Sequence, residues 1–253
     1  MKWEIKEGMA HLKLDRGSSN ALNRVMVDEL LRELKAIEKD ASVSGLILHG
    51  KPGFFSSGLD LIELYHYNEE EIHDFWRQFL KLLQVFVEFP KPTVAAIGGH
   101  SPAGGCLLAL CCDYRIMAEG DFIIGLNEVP VGIIVPERIF SLYAFWLGQA
   151  RAYEYLLEGK LLKPQEALQV GLVNEVTAAN RLITQAEKQM KAYLQFNGAV
   201  WRSSKLNIRR KLIGEFNADA NEEIEQVLKQ WWTPSNRQAL KSILDNLLFK
   251  SKR

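Results

Sequence analysis

The amino-acid sequence predicts an α/β protein in which a mostly parallel sheet, covered by helices, precedes an all-helical C-terminal region. Its 253 residues are 47% hydrophobic and 25% charged, an average composition for a globular protein that can bury a large core. Short apolar runs alternate with amphipathic helical patterns up to about residue 136. Strands of this non-alternating kind are typical of parallel sheets.

The first half of the chain opens with an alternating pattern from Trp3 to Leu14, which predicts a short hairpin. After residues 20–23, apolar side chains recur at helical spacing between Val27 and Ile37 and indicate an amphipathic helix. The next predicted elements are a strand at 45–50, a helix at 69–89, a strand at 93–97, a helix at 106–112 and a strand at 114–117.

The second half of the chain carries only helical patterns, and Pro164 occupies a position typical of the first residue of a helix. We assign residues 1–195 to the α/β core and residues 196–253 to the helical C-terminal region. The helices predicted after residue 136 cover 138–147, 151–157, 164–170, 181–196, 199–212, 215–231 and 235–249.

The charge balance is neutral, with 31 basic and 31 acidic side chains, which argues against a nucleic-acid binder held by bulk charge. Residues 93–112 carry no formal charge and are long enough to span a bilayer. Their centre contains four glycines and Pro102, so a turn between two buried elements is predicted and membrane insertion is not.

The three cysteines are Cys106, Cys111 and Cys112, an odd number without metal-ligand spacing. We expect buried thiols in a reducing compartment, with neither a disulfide nor a zinc site. The first residues lack an apolar signal-peptide segment. The expected location is therefore cytoplasmic.

Two glycine-bearing turns, at residues 53–61 and 98–106, follow strands and open helices. A helix start has unpaired N–H groups that can receive an anion or a developing oxyanion. Neither turn matches a dinucleotide-binding or P-loop fingerprint. The alternative is that both are ordinary tight turns with packing glycines.

A third segment, residues 122–137, places polar groups in apolar surroundings, and Glu128 and Glu137 are its only ionisable residues. Burial raises the pKa of a carboxyl group, which suits a base working near neutrality. The alternative is that both side chains reach solvent from a loop. No cluster of residues with metal-ligand spacing occurs, so no metal is predicted.

Four segments in register resemble the crotonase (enoyl-CoA hydratase/isomerase) superfamily, and the resemblance covers nearly the whole chain. They are NALN at 20–23, FFSSGLDL at 54–61, PAGGCLLALCCDYR at 102–115 and EALQVGLV at 166–173. The resemblance implies a spiral core of stacked ββα turns and a helical C-terminal region that drives assembly into homotrimers or hexamers. It also implies an acyl-CoA substrate and no cofactor.

In that family, two backbone N–H groups bind the thioester oxygen and stabilise the enolate. Matched by motif, the donors here are Leu59 and Gly104. Asp60 is expected to cap a helix beside the adenine pocket rather than to catalyse. The resemblance implies substrate contacts for Ser57, Gly58, Asp60, Leu61 and Asn127.

The resemblance also bears on the reaction. Hydratases of the family use two glutamates, but the first of these positions is Leu107 here. The second is Glu128, and a single glutamate can shuttle a proton from C2 to C4 of a 3-enoyl-CoA. This favours an isomerase that forms trans-2-enoyl-CoA. Glu137 is the rival base, because a related group of isomerases places its glutamate in a nearby Pro-Glu pair.

Other activities stay open at this point: hydratase, thioesterase, decarboxylase, or a non-catalytic fold that binds acyl-CoA. The charges also divide unevenly, because residues 201–253 hold 11 basic and 6 acidic side chains. We hypothesise that Lys205 and Lys250 contact the CoA phosphates. The alternative is a solvated basic tail, above all for Lys252 and Arg253.

Overall fold

The computed structural model describes the backbone of residues 1–251 and the side chains of residues 1–246. Within that range the strands form one sheet of six and one of three. Their bounds are β1 Lys2–Lys6, β2 Met9–Lys13, β3 Gly45–His49, β4 Gly53–Phe54, β5 Thr93–Ile97, β6 Gly99–Pro102, β7 Tyr114–Ala118, β8 Ile124–Gly125 and β9 Glu175–Thr177.

The larger sheet has the order β1-β2-β3-β5-β7-β9, and the smaller sheet has the order β4-β6-β8. Only the β1–β2 hairpin is antiparallel; every other pair in the two sheets is parallel. Three successive turns of the chain, which contain β3 and β4, β5 and β6, and β7 and β8, each add one strand to each sheet and are followed by helices. The predicted spiral of stacked ββα turns is confirmed.

The helices carry most of the remaining chain and include the predicted amphipathic ones. Their bounds are α1 Arg24–Lys39, α2 Leu61–Leu64, α3 Glu69–Val87, α4 Gly104–Cys111, α5 Glu137–Leu147, α6 Gln149–Glu158, α7 Pro164–Gln169, α8 Leu182–Leu194, α9 Gly198–Ile208, α10 Arg210–Asn217, α11 Asn221–Trp231 and α12 Pro234–Ser251.

Helix α4 lies at the centre of the core, where all eight of its residues are buried. It is apolar on every side, which is the pattern of a helix that touches no solvent. Helices α3 and α5 pack on α4, and α3 also contacts α10 and α11. The C-terminal helices therefore cover the core. The boundary at residue 195 between the α/β core and the helical C-terminal region stays a prediction.

Two of the predicted helices are wrong in extent. The pattern at 199–212 is broken at Arg209, where α9 ends and α10 begins, and the pattern at 215–231 is broken at residues 218–220. Arg209 turns inward at this break and donates hydrogen bonds to carbonyl oxygens of Val87 and Cys111. Tertiary contacts therefore set these boundaries rather than helical periodicity.

Strand β9 contradicts the prediction that no strand follows residue 136, and it pairs with β7. Three residues are too few for a periodic signal. Residues 93–112 form β5, β6 and α4 joined by a turn. No helix in the described residues combines the length and apolar character of a membrane span. The three cysteines are buried, as predicted.

Candidate active site

The two glycine turns, separate in the sequence, lie against each other in the fold. Gly58 is buried with a φ of 85°. A Cβ atom there would lie 3.2 Å from the amide nitrogen of Gly104 and 3.1 Å from the carbonyl oxygen of Pro102. A Cβ on Gly104 would lie 3.4 Å from Gly58 Cα. Glycine is needed at residue 58 because the main chains approach so closely.

Asn20 holds the first of these turns in place. It adopts a φ of 53°, and its side chain accepts a hydrogen bond from the Arg16 N–H at 2.9 Å while donating to the Phe55 carbonyl at 3.0 Å. Its own carbonyl accepts from Ser56 Oγ at 2.8 Å. A parallel β-bridge between Leu22 and Leu59 also joins the NALN motif to this turn. The NALN motif thus supports the neighbouring turn.

The N–H groups of Leu59 and Gly104 donate no hydrogen bond to any described residue. Gly104 is the first residue of α4, where the helix dipole is positive. Ala103, which precedes it, has a φ of 48° and a ψ of −122°, a conformation that L-residues rarely adopt. Two unpaired N–H groups beside a strained residue can receive a developing oxyanion.

Glu128 lies close to this turn because β8 pairs with β6. The Ala103 N–H donates to the Gly125 carbonyl at 2.8 Å, and Glu128 follows Gly125 by three residues. The Glu128 side chain is only 7% exposed, and its Oε2 has no partner among the described residues. Burial raises the pKa of Glu128 to about 7, although the backbone N–H groups of Glu128 and Asn127 oppose the shift.

Glu137, the rival base, occupies a different environment. It is the first residue of α5 and is exposed beside a surface cleft that α10 and α11 also line. Its neighbour along the chain, Arg138, has a different partner. Arg138 is buried and pairs with Glu223 at 2.5 Å. Glu137 therefore lacks the desolvated surroundings that Glu128 has.

The surroundings of Glu128 are apolar or neutral. Cys106 and Leu107 are buried on α4. Burial raises the pKa of the Cys106 thiol and keeps it protonated, and the charge of Glu128 raises this pKa further. Tyr143 on α5 is also buried, and burial, together with the charge of Glu128, raises its pKa. No basic side chain is among the groups that shift Glu128.

The other residues expected to contact substrate lie around the first turn or next to Glu128. Asp60 caps α2 by accepting from the Glu63 N–H at 3.1 Å and pairs with Arg16 at 2.7 Å, so its predicted capping role is confirmed. Of the remaining residues, Gly58 is buried, whereas Ser57, Leu61 and Asn127 are partly exposed.

Lys205 does not fit the hypothesis that it contacts CoA phosphates. It is buried, and its Nζ lies 2.7 Å from the Asp113 carboxylate, which Arg209 also contacts at 3.0 Å. The charge of Lys205 is thus satisfied inside the fold. Lys250 lies in α12, but its side chain falls outside the described residues, as do Lys252 and Arg253.

Two residues of this region were missed by sequence reasoning. Tyr143 sits on an apolar helical stripe that reads as ordinary core, so no local signal marks it. Asn20 belongs to the NALN motif, but its positive φ cannot be read from a motif.

His100 packs between the rings of Phe54 and Phe122, at centroid distances of 5.1 and 5.3 Å. Among the described residues, no group of His, Cys, Asp and Glu could hold a metal ion.

Comparison with known proteins agrees with this geometry. The family model described as enoyl-CoA hydratase/isomerase matches residues 4–242. Enoyl-CoA delta isomerase 1, mitochondrial, of Mus musculus is 39% identical over 189 residues, which is 74% of this chain and 65% of that protein. The human protein of the same name is 32% identical over 228 residues, 88% of this chain and 76% of its own length. The chain thus spans just under two thirds of the mouse protein.

Among solved structures, human mitochondrial delta3-delta2-enoyl-CoA isomerase superposes with a TM-score of 0.95 at 29% identity, covering 98% of both chains. An enoyl-CoA hydratase of Bacillus halodurans gives a TM-score of 0.87 at 23% identity, covering 95% of this chain and 98% of its own. The second likeness shows the fold alone. The chain belongs to the enoyl-CoA hydratase/isomerase family, within the crotonase superfamily.

Proposed function

We propose that the protein is an isomerase that moves the double bond of a 3-enoyl-CoA to form trans-2-enoyl-CoA. The observation that carries the proposal is the single buried carboxylate of Glu128, with a pKa of about 7, next to a turn with two unpaired N–H groups. The relatives named above as isomerases support the same reaction. The thioester is the substrate, and the reaction needs no cofactor.

In the first step, the Glu128 carboxylate removes a proton from C2 of the acyl chain. The electron pair moves onto the thioester oxygen, which accepts hydrogen bonds from the N–H groups of Leu59 and Gly104. Losing one such donor typically costs about 10²–10³ in rate. In the second step, the protonated Glu128 returns the proton to C4 while the new double bond forms between C2 and C3, so no atom is gained or lost.

Leu107 supports isomerisation over hydration. The resemblance places the first of the two water-binding glutamates of hydratases at this position, and here the side chain is apolar and 1% exposed. A hydrocarbon side chain can neither hold nor activate water. A proton shuttle needs only one base, which Glu128 supplies.

A product assay tests the proposal directly. We expect 3-hexenoyl-CoA to be converted to trans-2-hexenoyl-CoA, and 2-hexenoyl-CoA to give negligible 3-hydroxyhexanoyl-CoA. Glu128→Gln should abolish turnover and keep CoA-ester binding, whereas Glu137→Gln should stay active. Rapid hydration would point to a hydratase, release of free CoA to a thioesterase, CO₂ release from a carboxyacyl-CoA to a decarboxylase, and binding without turnover to a non-catalytic fold.

The assembly that we propose is a homotrimer, alone or paired as a hexamer. Helix α9 and the segment before it support this assembly with an exposed apolar face formed by Phe196, Val200 and Ile208, the last of which is 71% exposed. The face borders a cavity of about 560 Å³ lined mainly by aromatic and aliphatic side chains. Surfaces of this kind often mark protein contacts. Light scattering should give three or six copies, and Ile208→Asp should lower that number.

A cytoplasmic location stays a prediction.

A further inference from the structure

Two neighbouring residues near the start of α12, Asn236 and Arg237, contact the segments that follow the two halves of the candidate site. Helix α12 packs on α2, which begins two residues after Leu59, and on the short 3₁₀ turn Val129–Val131, which begins directly after Glu128. One end of a single helix therefore touches both the oxyanion-binding half and the proton-carrying half. The mechanism above uses neither of these two residues.

Asn236 lies directly against the main chain of Gly132. It is 4% exposed, and a Cβ atom on Gly132 would overlap its Oδ1 and lie 3.1 Å from its Cγ. Gly132 follows the 3₁₀ turn, and its N–H donates to the Val129 carbonyl oxygen at 3.0 Å. The next N–H, of Ile133, donates to the Glu128 carbonyl oxygen at 3.0 Å. A shift of Gly132 would therefore be passed on to the main chain of Glu128.

A second contact attaches the same turn to α6. A Cβ atom on Gly159, which follows the last residue of α6, would overlap Cγ of Pro130 and lie 3.4 Å from Cα of Asn127. The turn that carries Glu128 is thus attached to both α6 and α12. Without the contact to α12, it would keep its attachment to α6 and lose only part of its constraint.

Arg237 reaches the other half of the site through α2. Its Nη2 donates to the Tyr65 carbonyl oxygen at 2.7 Å, and its guanidinium carbon lies 3.6 Å from the centroid of the Tyr65 ring. The Tyr65 N–H donates to the Leu61 carbonyl at 3.0 Å, and the Leu61 N–H donates to the Leu59 carbonyl at 2.9 Å. Three successive hydrogen bonds therefore connect Arg237 with a residue whose N–H the mechanism assigns to the thioester oxygen.

Stability alone does not explain these two side chains. Nδ2 of Asn236 and Nη1 of Arg237 are buried and have no hydrogen-bond partner among the described residues. Buried polar atoms without a partner lower stability, and apolar side chains of similar size would avoid that cost. Their presence is accounted for if the geometry of the two contacts matters to the site.

We propose that Asn236 and Arg237 are positioning residues that together fix the separation between the proton-carrying carboxylate and the oxyanion-binding N–H groups. This inference rests on the proposed isomerase function. The carboxylate has to reach C2 and then C4 while the thioester oxygen stays on the N–H groups, so the two halves must keep one separation through both proton transfers. A misplacement of about 1 Å typically costs about 10² in rate.

Asn236→Ala and Arg237→Met test the proposal, because each removes one contact of α12 and leaves the other. We expect kcat to fall about tenfold to hundredfold in each variant, with KM changed less than about threefold. The double variant should lose less than the product of the two single losses, since both contacts set the same separation. Gln238→Ala and Lys241→Met are the matched controls, because both side chains are exposed on the same helix. Their kcat should be unchanged.

Amide hydrogen exchange gives a readout that does not depend on turnover. We expect Arg237→Met to speed exchange about tenfold in residues 59–66, and Asn236→Ala to do so in residues 128–134. Full kcat in both variants, or losses no larger than those of the controls, would overturn the positioning role. Absence of double-bond migration by the wild type, with these changes in exchange intact, would instead count against the proposed function.

Discussion

Gly105 and Ser56 approach each other so closely that a Cβ atom on Gly105 would lie 2.4 Å from the Ser56 carbonyl oxygen. The obstacle is main chain, so it cannot move without displacing the turn that carries Leu59. Gly105→Ala should therefore lower the free energy of unfolding by about 1–3 kcal/mol. It should also reduce kcat at least as much as loss of one oxyanion donor would.

Gly214→Ala is the control for that substitution. Gly214 lies inside α10 with no atom within 4 Å of an added Cβ. Alanine should stabilise the helix by about 0.5–1 kcal/mol and leave activity unchanged. Urea unfolding measures both variants. Normal activity in Gly105→Ala would contradict the requirement for contact between the two turns.

Glu128 links activity to stability with a defined sign. Its pKa is about 7 in the folded protein against 4.5 for a free side chain, so folding takes up a proton between these values. Its contribution to stability is therefore complete below about pH 4.5 and is lost as the pH rises through 7. Glu128→Gln should be more stable than the wild type at pH 8, by up to about 3 kcal/mol. Chemical denaturation at pH 4 and pH 8 measures the difference, which should nearly vanish at pH 4.

Asp113 compensates the charges of two buried cations, Lys205 in α9 and Arg209 at the junction of α9 with α10. It contacts Lys205 and Arg209 and also accepts from Thr93 Oγ1 at 2.8 Å. Asp113→Asn leaves these charges uncompensated and should cost about 3–5 kcal/mol of unfolding free energy. The exposed pair of Asp121 with Lys163 is the comparison, and Asp121→Asn should change stability by less than about 1 kcal/mol. Equal effects in thermal unfolding would argue against the buried network.

Ala103 holds a backbone conformation that glycine adopts freely, since its φ is 48°. Ala103→Gly should therefore raise the free energy of unfolding by about 1 kcal/mol, with relief of strain exceeding the added entropy of the unfolded chain. Ala103→Val should lower it, because a β-branched residue is strongly disfavoured there. The opposite order of these variants in urea unfolding would show that Ala103 is not strained.

Much of the α/β core could be predicted because its strands are short apolar runs and its helices are amphipathic, with glycines or capping residues at their ends. The strand at 93–97 and the helix containing Val27 are examples. The three-residue strand β9 and the break at Arg209 could not, because both depend on distant partners. A helical pattern continues through Arg209, and only the carbonyl groups that this side chain reaches end the helix there.

The candidate site divides in the same way. Glu128 and the two glycine turns stand out in sequence because a lone carboxylate in an apolar segment and clustered glycines are unusual. The contact between the turns, the pairing of Arg138 with Glu223 and the burial of Lys205 are tertiary facts. A surplus of basic residues in the last helices suggested phosphate contacts, but the charge of Lys205 is compensated internally by Asp113.

The unpaired N–H groups of Leu59 and Gly104 belong to the main chain, so no replacement other than proline removes either of them. What can vary without disturbing them is the side chains at positions 107 and 128, which decide how many carboxylates the site contains. The scaffold thus separates the groups that stabilise charge from the groups that choose the reaction. Redesign of the reaction should accordingly begin at those two positions and leave both turns unchanged.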